Sequence, residues 1–215
     1  MSARAAILAA LGDPPRDPTT LATEAAALLT RPERPAATAS VDALIEALAA
    51  PSIAATCERL ASSADLPEAV ARYLASSGLP PELMIADSDL AQMADWSRLD
   101  ILAAPPIDGG AVLTCATTAV CETGSLVLET GPGKPMLANF LALHHLVVVF
   151  EDSIVAHLED IPQPALAPRA HYWVTGVSGT TDIEGQYVRG AHGPRFLHVL
   201  IVQHVNSASN KRDIC

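Results

Sequence analysis

The sequence is short of aromatic residues, of positive charge, of cysteine and of long apolar runs, and each shortage removes a class of protein. Aromatics make up 4% of the chain while half of it is hydrophobic, so the core has to be built from aliphatic side chains on closely packed helices and strands. A chain of 215 residues with that apolar share is long enough for one substantial core and is no disordered polymer. Lys and Arg number 13 against 24 Asp and Glu, a formal net charge of −11. Such a field repels phosphate backbones and anionic lipid surfaces. The basic residues are scattered, with Lys211-Arg212 the one adjacent pair, so no basic stripe is present for nucleic acid.

The cysteines, Cys57, Cys115, Cys121 and Cys215, have none of the short spacings of zinc or iron–sulfur ligand sets. The chain is therefore expected to carry no metal and no cofactor of its own. On one continuous strand Cys115 and Cys121 would share a face as small buried hydrophobes, in keeping with a reduced, cytoplasmic protein. No stretch approaches the roughly 18 apolar residues of a membrane span: residues 143–150 are interrupted by His144 and His145 and stop at Glu151-Asp152. Apolar residues 5–11 run straight into Gly12-Asp13-Pro14-Pro15, too soon for a signal peptide, and read as a short helix.

What is present divides the chain at about residue 80. Residues 1–80 are rich in Ala and Leu and broken by Pro14-Pro15, Pro32, Pro35, Pro51 and Pro67, the pattern of short helices. In one of them Val41, Leu44, Ile45 and Leu48 share a face while Asp42 and Glu46 stay in water. Residues 81–205 change character, with short apolar runs at 83–86, 101–104, 111–120, 125–128, 146–150, 172–175 and 197–202. Several are continuously apolar, which suits strands buried on both faces of a parallel or mixed sheet covered by helices. Residues 88–96 and 154–158 read as helices between them, and 206–215 as a polar tail.

Three segments have the composition of a site. Cys121-Glu122-Thr123-Gly124-Ser125 places a carboxylate, a hydroxyl and a glycine between two apolar runs; it reads equally as a strand connection in which Gly124 takes a positive φ. The stretch from Thr175 to Gly185 follows a strand and holds Ser178, Thr180, Thr181, Asp182 and Glu184 among its glycines. Such a turn can aim N–H and O–H donors at an anion, or simply cap a local turn. It has neither a P-loop lysine nor G-x-G-x-x-G spacing, so nucleotide binding is not indicated. Third, Gly190-Ala191-His192-Gly193-Pro194-Arg195 precedes the last strand, a constrained loop where an imidazole can move protons and a guanidinium can hold a carboxylate. His144 and His145, entering an apolar strand, read as structural.

Taken together, Glu122-Thr123-Gly124, Asp182-Ile183-Glu184 and Gly190-Ala191-His192-Gly193-Pro194 resemble the signature blocks of the LUD family in order and spacing. Gly179 stands where that family has Arg, and 134–143 lack its Arg-rich run. The resemblance implies a fold like the NagB/RpiA/CoA-transferase superfamily, an α/β sheet with helices on both faces, preceded here by the helical N-terminal region. It also implies a role in bacterial L-lactate oxidation to pyruvate, beside partner subunits that carry iron–sulfur clusters. With no cluster ligands and no flavin or nicotinamide fingerprint in its sequence, this chain is expected to bind a small hydroxy or keto acid or to assemble the complex, while partners move the electrons.

On that reading Glu122, Asp182 and His192 are the catalytic candidates, and Thr123, Gly124, Ser178, Thr180, Thr181, Asp182, Glu184, His192 and Arg195 the ligand-binding ones. Asp182 and Glu184 would organise their loop, with His192 and Arg195 facing the ligand. The alternative is a free-standing transferase or hydrolase acting on a CoA thioester or sugar phosphate. Glu122-Thr123-Gly124 faintly resembles the Glu-Asn-Gly of CoA transferases, whose carboxylate attacks the thioester. A third reading makes the chain a structural partner whose glycine-rich blocks only form turns.

Overall fold

A computed structural model describes residues 3–10, 17–28, 34–163, 168–181, 187–190 and 192–203. By contacts the chain divides into Met1–Ala36 and Ala37–Cys215. The first unit holds α1 (Ala3–Ala10) and α2 (Pro18–Leu28), neither with a buried side chain. Pro18 opens α2, where its missing N–H costs nothing. Asp17 accepts the Thr20 hydroxyl and the Thr19 N–H, and these bonds hold its carboxyl below the usual carboxylate range.

In the second unit the order is α3 (Val41–Ala49), β1 (Thr56–Leu60), α4 (Leu66–Ser76), β2 (Glu82–Ile85), α5 (Ser88–Met93), β3 (Asp100–Ile101), β4 (Ala111–Cys115), β5 (Thr118–Val120), β6 (Ser125–Glu129), α6 (Ala138–Leu141), β7 (His144–Phe150), β8 (Ile154–Val155), β9 (His171–Val174), β10 (Gly179–Thr181), β11 (Tyr187–Arg189) and β12 (Phe196–Val202). Six strands form one sheet in the order β1-β12-β7-β4-β2-β3, and every pairing in it is parallel. The largely apolar strands β7 and β12 lie inside it, as strands covered on both faces require. A smaller sheet runs β8-β5-β6-β9, and β10 and β11 make an antiparallel ribbon.

Side-chain alternation sends the two faces of the main sheet into separate cores. Leu146, Val148, Phe150 and Leu200 pack against Leu66, Val70 and Leu74 of α4 and Leu90 of α5. The opposite face, with Val147, Val149, Val199 and Ile201, packs against α3 and the small sheet. The expected face of α3 is the one that buries: Val41, Leu44 and Leu48 are inside, and each fully buried leucine contributes about 2 kcal/mol. Ser40 caps this helix, its hydroxyl accepting the Ala43 N–H at 3.1 Å.

The α/β architecture, the parallel sheet and the N-terminal helices match expectation, but four local readings are corrected. Thr56–Leu60, inside the stretch read as helical, is an edge strand of the main sheet. Its Glu58 and Arg59 hid the strand pattern, and they pair outward with Arg72 and Asp42. Residues 154–158 form a two-residue strand and a turn instead of a helix. The run 111–120 is two strands, because the chain leaves the main sheet after Cys115 and enters the small sheet at Thr118. Cys115 and Cys121 therefore do not share one strand. The tail 206–215 lies outside the described residues.

Candidate functional site

His145 of β7 and Leu197 of β12 are cross-strand partners and together floor a cavity of about 220 Å³. Asn139 and Phe140 of α6 form one wall, Trp173, Val174 and Thr175 at the end of β9 another, and the segments 176–178 and 192–194 the roof. The roof is built from backbone. The Ser178 N–H donates to the Pro194 carbonyl at 2.9 Å, the Gly190 N–H to the Ser178 carbonyl at 2.8 Å, and the Val177 N–H to the Ile53 carbonyl at 3.2 Å. Gly176 takes φ +91°, and a Cβ there would stand 2.8 Å from the Ile53 backbone. Only glycine lets the roof approach the turn after α3 this closely.

The buried polar side chains of the lining, His145 and Asn139, are uncharged. His145 is fully buried, and burial pushes its imidazole down to about 4, so it is neutral at physiological pH. Its Nε2 bonds with Thr114 Oγ1 at 2.8 Å. Asn139 is 3% exposed; its Nδ2 donates to the Tyr172 hydroxyl at 2.6 Å, while its Oδ1 is buried without a partner. Unmet buried polar atoms are uncommon and call for a cause. Ser178 is half-buried in the roof and His192 is exposed at the mouth.

The residues anticipated from sequence fall in different places. Ser178 and His192, from separate segments, meet at the cavity. Thr180 and Thr181 sit on β10 opposite Val188 and Tyr187 of β11, and Arg195 turns its guanidinium over the Phe196 ring, 5.9 Å from the centroid; neither Thr180 nor Arg195 lines the cavity. Glu122 does not line it either. Its carboxylate accepts the Leu158 N–H at 2.6 Å, and its own N–H donates to the Ala156 carbonyl, which ties the first segment to the turn after β8. Gly124 takes φ +65° with Ala47 of α3 just beyond it. Thr123 reaches the site indirectly: its hydroxyl bonds Ser125, whose Oγ lies 2.6 Å from Thr175 Oγ1 in the cavity wall. Asp182 and Glu184 lie outside the described residues.

Sequence reasoning missed Asn139, Phe140 and Trp173, and assigned His145 to structure alone. The available signal was a lone amide in the apolar run Met136-Leu137-Ala138-Asn139-Phe140-Leu141 directly before a strand. Its neighbour His144 is indeed structural, bonded to the Tyr73 hydroxyl at 2.8 Å and stacked on Phe196. A second, narrow space beside Asn139 and Tyr172 is lined by Asp87, Glu129 and Lys134. There Asp87, 2% exposed, faces the Lys134 ammonium at 3.5 Å, and burial pushes its carboxyl up against the opposing pull of Lys134. Among the described residues no group of metal-ligating side chains forms, and no helix is long and apolar enough to cross a membrane.

Fold and site together define an α/β protein with a parallel sheet and an open cavity of small-molecule size. Residues 108–202 match the LUD domain. The chain is 32% identical over 155 residues to lactate utilization protein C of Deinococcus radiodurans, covering 66% of this chain and 70% of that protein. To lactate utilization protein C of a Geobacillus species it is 29% identical over 98 residues, 42% of this chain and 41% of that one. Its fold is similar to the crystal structure of a DUF162 family protein from Deinococcus radiodurans, with a TM-score of 0.51 and 21% identity over 75% of this chain and 95% of that one. The chain belongs to the LUD-domain family and is a distant homologue of lactate utilization protein C.

Proposed function

We propose that the chain is a non-redox component of an L-lactate-oxidising system, and that it holds a small hydroxy or keto acid in the cavity between His145 and His192. Partner subunits carrying iron–sulfur clusters take the electrons. The name of the relatives, lactate utilization protein C, supports a place in lactate use. The observation that carries the site is the meeting of Ser178 and His192, from separate sequence segments, over a pocket of about 220 Å³. That volume lies below the roughly 300–1,000 Å³ typical of drug-sized ligands and suits a smaller one. Kinship with the NagB/RpiA/CoA-transferase superfamily and a cytoplasmic location belong to the same reading.

A thioester-attacking role for Glu122 has no support in this geometry, because its carboxylate is held by the Leu158 N–H and does not line the cavity. The test is gentle purification of the chain from its native cells, with mass spectrometry and a lactate-dependent dye-reduction assay on what accompanies it. Iron–sulfur partners and lactate-dependent reduction are expected. A protein that purifies alone and binds neither lactate nor pyruvate contradicts the proposal.

A further inference from the structure

The cavity is larger and more apolar than lactate requires. L-lactate has as many non-hydrogen atoms as benzene, which an apolar protein cavity of about 150 Å³ accommodates. At about 220 Å³ the cavity here keeps roughly a third of its space when lactate is inside, room for about three more carbon atoms at the same packing. Its walls say what belongs there. Phe140, Trp173, Val174, Val177 and Leu197 all border it, and among its described lining residues none is Lys, Arg, Asp or Glu. Phe140 and Trp173 stand 41% and 47% exposed, apolar surface that a bound apolar group takes out of water. A single methyl covers little of it. An ionised carboxylate taken against buried Leu197 would lose its water without gaining a countercharge, which is costly. The carboxylate therefore belongs beside the exposed His192, and the side chain of the acid on the apolar walls.

We infer that the cavity takes hydroxy or keto acids whose side chain is a branched aliphatic group larger than lactate's methyl, with L-2-hydroxyisocaproate, which has three carbons more than lactate, the acid that fills the space. This rests on the proposed function and deepens it by naming the class of acid and the walls that choose it. Trp173 and Phe140 come from β9 and α6, outside the segments that carry the family resemblance. Each methylene moved from water onto such walls strengthens binding by about fourfold, and apolar pockets discriminate between homologous ligands by steps of that order or larger.

The experiment is calorimetric titration of the full chain with L-lactate, L-2-hydroxybutyrate and L-2-hydroxyisocaproate, for the wild type and Trp173→Ala. Affinity is expected to rise along the series, with L-2-hydroxyisocaproate bound at least about tenfold more tightly than L-lactate. Trp173→Ala is expected to weaken the larger acid more than lactate, narrowing the preference by about threefold or more. L-lactate bound as tightly as the larger acid, or an unchanged preference in Trp173→Ala, overturns the inference and leaves the proposed function standing. Binding of none of the three, nor of pyruvate, overturns both. If Trp173→Ala does not fold, Phe140→Ala takes its place under the same two outcomes, and the wild-type series by itself still overturns the inference if affinity does not rise with side-chain size.

Discussion

Thr114 Oγ1 lies 2.8 Å from His145 Nε2, a bond between neighbouring parallel strands that fixes a fully buried imidazole in the floor of the cavity. Across the sheet, His198 is held in the same manner by Thr56 Oγ1 at 2.7 Å. Burial pushes both imidazoles from 6.5 down to about 4, with Glu58 pulling His198 the other way. A histidine with a depressed folded pKa is protonated first in the unfolded chain as pH falls. Its contribution is therefore fully present above about pH 6.5 and lost progressively between 6.5 and 4, roughly 3 kcal/mol for each. Asp87, pushed up by burial, acts in the opposite sense. Urea unfolding at pH 7 and pH 4.5 is expected to show a marked loss at the lower pH, with a shallower slope in His145→Gln. Equal midpoints at the two pH values contradict this assignment.

Lys134 stands 3.5 Å from Asp87 Oδ2 and 3.3 Å from Asp89 Oδ2. Removing the ammonium leaves the Asp87 carboxylate buried on its capping bonds from Asp89 and Leu90. Lys134→Met is expected to cost about 2–4 kcal/mol near neutral pH, with part of the loss recovered as the pH falls and Asp87 takes a proton. Thermal melts across that range measure it. A loss that does not shrink at low pH places the damage elsewhere.

Gly176→Ala puts a methyl 2.8 Å from the Ile53 backbone at a φ of +91°. The expected destabilisation is about 2 kcal/mol or more, with loss of acid binding as the roof lifts. Gly131, around which a Cβ meets nothing within 4 Å, is the control, and its alanine variant should unfold at the wild-type midpoint.

Glu122→Ala is expected to cost about 1–2 kcal/mol of stability, by freeing the Leu158 N–H, and to leave acid affinity within a factor of about two. Loss of binding with stability intact assigns Glu122 to the ligand instead.

The sequence shows the central strands because β4, β7 and β12 are buried on both faces and so read as apolar runs interrupted only by Thr114, His144, His145 and His198. Strand β1 escapes because an edge position tolerates Glu58 and Arg59, whose partners come from α3 and α4. The site divides in the same way. Ser178 and His192 lie in glycine-rich turns whose composition is unusual enough to notice. Asn139, Trp173 and His145 gain their meaning only from pairing across 50 residues or so of sequence, as with Leu197 opposite His145, and local patterns do not encode that. Glu122 shows the converse: a conspicuous motif whose carboxylate is spent on a neighbouring turn.

The central claim, that the His145–His192 cavity takes a small acid, is tested most directly by tryptophan fluorescence. Trp173 lines the cavity and is 47% exposed, whereas Trp96, the other tryptophan, is 7% exposed in the opposite core. Titration with L-lactate is predicted to change the emission saturably, the change vanishing in Trp173→Phe and shifting to higher lactate concentration in His192→Ala. A flat titration of the folded wild-type protein contradicts the account.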